Sequence, residues 1–78
     1  PQQVAISVYP NPGTEQITID PGRFTGVFTM YNLHGKIMVS QQLHERSSIH
    51  TTDLAPGIYF YRFVNSKGEI ASGKWVKK

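Results

Sequence analysis

Apolar side chains recur at every second position through much of the chain. Val4, Ile6 and Val8 alternate with Ala5 and Ser7, and Ile17 and Ile19 alternate with Gln16 and Thr18. A period of two sends successive side chains to opposite faces of a strand, so such runs predict half-buried β-strands. Strands are expected over Val4–Tyr9, Glu15–Asp20, Phe24–Tyr31, Lys36–Leu43, Ser47–Thr51, Gly57–Asn65 and Glu69–Lys77. No stretch shows the 3.6-residue apolar period of a helix. In Phe24–Tyr31 both faces are partly apolar, with Phe28 and Met30 on one and Val27, Thr29 and Tyr31 on the other. In Gly57–Asn65, Tyr59, Tyr61 and Phe63 share one face, and Ile58, Phe60 and Val64 share the other with Arg62. Few of these residues suit water, which predicts a central strand.

The segments between the strands carry turn chemistry. Pro10-Asn11-Pro12-Gly13 removes two backbone donors, and its glycine admits a positive φ. Pro21-Gly22 ends the second strand. Asn32-Leu33-His34-Gly35 suits a four-residue hairpin loop with Gly35 at positive φ, and Asn65-Ser66-Lys67-Gly68 repeats the pattern. Thr52–Gly57 reads as a compact loop, with Asp53 as a cap, Leu54 as an apolar plug and Pro56-Gly57 setting the exit. Gly26 suggests a bulge or a tight backbone approach, and Gly73 an interruption of the last strand. Seven expected strands with turn signals every 8–12 residues predict an all-β sandwich or barrel. Residues 1–3 resemble a linker end, and 4–78 form one domain.

Composition sharpens the all-β expectation. Val, Ile, Thr, Phe, Tyr and Trp number 28 of 78 residues, against 6 for Ala and Leu, the apolar residues that favour helices. The absence of cysteine excludes disulfides, thiolate metal sites and Cys nucleophiles. No apolar run approaches the length of a membrane-spanning helix, and no signal peptide is visible in the chain. The net charge of +3 is mild, with Lys74, Lys77 and Lys78 forming a basic tip.

The sequence is poor in reactive constellations. No nucleophile elbow, dinucleotide fingerprint, phosphate loop or zincin motif is present. His34, His44 and His50 fall in different loops or strands, where surface imidazoles are the ordinary reading. A sandwich this small has little volume for a cleft between paired carboxylates. No enzymatic activity, cofactor or metal is expected. Tyr9, Tyr31, Tyr59, Phe60, Tyr61 and Trp75 could stack on a sugar or a nucleobase, but large rings gain most in a core. Only Arg62 lies among the rings, which argues against nucleic acid.

Taken in order, Tyr9-Pro10-Asn11-Pro12, Tyr31-Asn32-Leu33-His34-Gly35-Lys36, Leu54-Ala55-Pro56-Gly57-Ile58-Tyr59 and a lysine-tipped end after Trp75-Val76 resemble one known family. It is the C-terminal sorting domain of the type IX (Por) secretion system, type A. The resemblance spans Val4 to Lys78. It implies an all-β, Ig-like β-sandwich of about seven antiparallel strands attached to an N-terminal cargo exported by Bacteroidetes. The implied partners are the type IX translocon, its outer-membrane shuttle protein and a cell-surface sortase that removes the domain. The implied route passes through the periplasm to the cell surface or beyond, without membrane insertion. Tyr9, Pro10, Asn11, Pro12, Asn32, Gly35, Leu54, Gly57 and Tyr59 are the motif positions, read mainly as fold-making. The final hairpin, Gly57 to Lys78, is the expected recognition surface. Its edge could accept a partner strand or a second copy, with Lys74, Lys77 and Lys78 guarding it.

Two further functions suit the same composition. A carbohydrate-binding or adhesive accessory domain of an extracellular enzyme requires an exposed, coplanar set of rings. A plain Ig-like spacer requires only the fold.

Overall fold

The computed structural model describes residues 6–78. Its strands are β1 (Ser7–Tyr9), β2 (Gln16–Asp20), β3 (Gly26–Tyr31), β4 (Ile37–Leu43), β5 (Ser47–His50), β6 (Gly57–Asn65) and β7 (Ile70–Lys77). Val4 and Ala5 of the first expected strand lie outside the described residues. There is no helix among the described residues. Two antiparallel sheets form an Ig-like sandwich, one ordered β1-β2-β5 and the other β4-β3-β6-β7.

The period of two explains which face is inside. Ile17 and Ile19 of β2, Phe28 and Met30 of β3, Tyr59 and Phe63 of β6, and Trp75 of β7 are buried, and Leu43 closes one end of β4. Phe28 and Met30 thus settle the face that the β3 pattern left open. Phe28 stacks on Tyr61 with ring centroids 5.7 Å apart, and Tyr59 tilts against Trp75 at 6.1 Å. No buried side-chain nitrogen or oxygen among the described residues lacks a partner, as a small core with little energy to spare requires.

Gly13 and Gly73 differ from their sequence expectation, and Gly26 takes the second of its two expected roles. Gly13 is not at positive φ. A Cβ there would lie 2.8 Å from Trp75 Cζ2 and 3.0 Å from the Pro10 carbonyl oxygen, so the indole requires the bare backbone. Gly26 is not a bulge; it pairs in register with Leu43 and Asn65, and the irregularity falls between Met30 and Tyr31. A Cβ on Gly26 would run into the Val64 carbonyl and sit 2.7 Å from Asn65 Cα, so its role is close approach of strands. Gly73 does not interrupt β7. It pairs with Tyr61 in a continuous ladder, and its missing side chain makes room for the Tyr61 ring, whose Cζ would be 2.6 Å from a Cβ.

The two asparagine turns are built alike. The Asn32 backbone pairs with Lys36 across the loop, while its Oδ1 accepts from the His34 and Lys36 amides at 2.9 Å. Asn65 does the same, accepting from Lys67 and Glu69. Gly35 and Gly68 close the turns at φ 83° and 82°, a region L-residues avoid. β6 is central, as expected, but its second face is open. Phe60, Ile58 and Arg62 are exposed there, because nothing among the described residues packs on the outside of the four-stranded sheet.

Candidate functional site

Four motif segments separated in sequence meet at one end of the sandwich. Antiparallel pairing brings the start of β6 beside the end of β7, with Gly57 opposite Lys77. Gly13 bridges to Lys77 in parallel fashion. Tyr31, which leads into the Asn32 turn, pairs with Phe60. The Tyr9–Gly13 corner, the Asn32–Lys36 turn, the Leu54–Tyr59 segment and the C-terminal lysines are therefore neighbours.

The Tyr9–Gly13 corner clamps the last strand. Its Tyr9–Pro10 and Asn11–Pro12 peptide bonds are cis. Trp75 Nε1 donates to the Pro10 carbonyl at 2.7 Å. Asn11 Nδ2 donates to the Lys74 carbonyl at 2.8 Å, and Asn11 Oδ1 accepts from the Val76 amide at 3.2 Å. Gly13 bonds the Val76 carbonyl and accepts from the Lys78 amide, each at 2.9 Å. These are the outward-facing backbone groups of β7, since the intervening residues pair with β6. The edge expected to accept a partner strand is thus already occupied from Lys74 to Lys78 by the chain's own corner.

Lys77 corrects the expectation of a basic tip. It is buried, and its Nζ donates to the Thr51 carbonyl and, at 2.7 Å, to the Leu54 carbonyl. It is a brace between β7 and the loop before β6, with its ammonium turned inward and away from the strand edge. Lys74 and Lys78 remain exposed. In the same loop Asp53 is exposed and the turn is closed by the Leu54 amide on the Thr51 carbonyl, without an Asp53 cap. Leu54 packs against the core as a plug. Tyr59 is buried and donates its hydroxyl to the Ala55 carbonyl at 2.5 Å. Gly57, at φ 150°, launches β6 from this loop.

The motif residues thus divide by physics. Tyr59, Gly57, Leu54, Asn11, Pro10 and Lys77 build the end, while Leu33, His34, Pro56 and Ile58 face outward around a depression of about 250 Å³ between the two motif loops. That is below the usual range for a small-molecule pocket. His34, His44 and His50 are exposed and apart, and no metal-binding group of three His, Cys, Asp or Glu residues occurs among the described residues. The ring set required for sugar binding is not assembled. Trp75 and Tyr59 are in the core, Tyr31 and Tyr61 are half-buried, and the exposed Tyr9 and Phe60 belong to different sheets. Burial pushes the Tyr61 phenol above its ordinary value of 10.0. Phe60, one of the candidate stacking rings, is 45% exposed beside Tyr31, on the β6 face opposite Tyr59 and Tyr61.

The model of the secretion system C-terminal sorting domain matches residues 7–78. The chain belongs to this family, the sorting domains of type IX secretion. The sorting domain is a C-terminal secretion signal, and such a signal sends its bearer to the cell surface or the extracellular space. No curated protein matches the chain. Its fold is similar to that in the crystal structure of CopC from Methylosinus trichosporium OB3b, with a TM-score of 0.52 and 15% identity over 94% of this chain and 91% of that one. At such identity the likeness concerns the fold alone.

Proposed function

We propose that this sorting domain acts as a folded address on an exported cargo, read in the periplasm at the motif-bearing end of the sandwich. The outer-membrane shuttle protein and the translocon recognise it there, and a cell-surface sortase then separates it from the cargo. The observation that supports this most is the convergence of the Tyr9–Gly13, Asn32–Lys36 and Leu54–Tyr59 motifs on one end. Motifs that only specified a sandwich would have no need to share an end. The domain works as a shape and a surface, with no reaction of its own.

The test is a fluorescent reporter joined ahead of this chain and expressed, with an inner-membrane export signal, in a bacterium that has the type IX system. Reporter is expected at the cell surface or in the medium, and in the periplasm when the chain is deleted. Equal surface delivery with and without the chain would reduce the domain to a spacer.

A further inference from the structure

The outer face of the four-stranded sheet is open, and its chemistry is one-sided. Across the motif-bearing end run Ile37, Tyr31, Phe60 and Lys74, one from each strand in spatial order. Ile58 lies on the same face one row further on. Ile37 is 56%, Phe60 45% and Ile58 39% exposed. Ile58 also lines the depression between the motif loops, so patch and depression are continuous. The next row holds Arg62, whose Nη2 donates to the Tyr31 hydroxyl at 3.2 Å and whose guanidinium lies over the Tyr31 ring. No acidic residue belongs to this face. Asp20 is in the other sheet, Glu69 is held by Asn65, and Glu15, Glu45 and Asp53 lie outside the strands.

From this we infer that the outer face around Phe60 is a docking surface for a protein partner that presents an apolar surface bordered by carboxylates facing Arg62 and Lys74. Exposed apolar area of this kind on a small domain marks an interaction site. The charge pattern chooses the occupant. A second copy laid on the same face would set Arg62 and Lys74 against their own counterparts, with no acid to offset them. A lipid surface suits the face poorly, because the polar row of Thr29, Arg62 and Ser72 crosses its middle and the chain's one tryptophan is buried. Carboxylates on the partner satisfy both cations and leave the rings and isoleucines to be covered. The inference rests on the proposed function for the partner's place in the export machinery.

The reporter fusion tests it. The charge-reversed double variant Arg62→Glu/Lys74→Glu is compared with Arg46→Glu/Lys67→Glu, which reverses two cations in turns off the face. Both pairs are exposed, so both variants should melt within about 4 °C of the unaltered domain. Export of the face variant is expected to fall about tenfold or more, with the turn variant unchanged. A photo-crosslinking residue placed at Phe60 should capture an outer-membrane protein of the export system. Undiminished export of the face variant, an equal loss in the turn variant, or crosslinks only to lipid or to a second copy overturns the inference. If the unaltered fusion fails to leave the cell, the secretion role itself falls, and this docking surface with it. Export of both unaltered and face-reversed fusions removes the docking surface alone.

Discussion

Replacing Lys77 by methionine separates a brace from a recognition residue. Methionine keeps most of the aliphatic stem and removes the ammonium that binds the Thr51 and Leu54 carbonyls. A charge-assisted hydrogen bond contributes roughly 1.5–3 kcal/mol, and a buried acceptor left unpaired costs about 1–3 kcal/mol. Thr51 is 0% exposed, so water cannot replace the lost donor there, but its carbonyl keeps the bond from the Leu54 amide. Leu54 is half-buried, so its carbonyl can regain part of its hydration. Relief from burying an ammonium offsets some of the loss, leaving a net cost of about 2–3 kcal/mol. A chain of this length has a total stability of roughly 4–12 kcal/mol. The variant should therefore melt roughly 10–20 °C lower. Trp75 is the only tryptophan and is fully buried, so its fluorescence follows unfolding directly. Lys78→Met is the control, because Lys78 is exposed and should shift the melting point by no more than about 4 °C. A Lys77→Met domain that melts with the control would refute the brace. If the brace holds, export lost on changing Lys77 measures folding and says nothing of contact with the machinery.

Other substitutions probe the frame. Gly26→Ala forces β3 away from the Val64 carbonyl and should cost about 2–3 kcal/mol in urea unfolding, with loss of amide protection along β3 and β6; near-wild-type stability would contradict the close approach. Asn65→Ala removes two accepted bonds and the 2.8 Å bond to Glu69 from a buried side chain. It should destabilise by about 2–3 kcal/mol, roughly twice the effect of Asn32→Ala in the more exposed twin turn. Ultraviolet titration should show the Tyr61 phenol ionising above 10.0, with that step absent in Tyr61→Phe. Because the folded value is the higher one, its contribution to stability is intact below the ordinary tyrosine value. It declines as pH rises through the folded value, so the wild type should lose stability in that alkaline window by more than Tyr61→Phe does.

The alternation of apolar residues was enough to place β2 to β7 within two residues at each end, because strand burial is a local pattern with a period of two. Asn32 with Gly35, and Asn65 with Gly68, likewise determined their turns, since the side-chain oxygen and the positive φ act within a few residues. The ordered motifs carried the family assignment for the same reason. Only the tertiary structure decided which partner each residue meets across the fold. Lys77 looked like surface charge because its two acceptors lie 26 and 23 residues away, and burial of a lysine has no local signature. Gly13 and Gly73 looked like turn or break signals, whereas one makes room for Trp75 and the other for Tyr61. The open β6 face was hidden in a strand with large apolar residues on both sides. Pattern alone cannot tell a face covered by a second sheet from one left to water, because the coverage depends on how many strands the opposite sheet holds and where they lie.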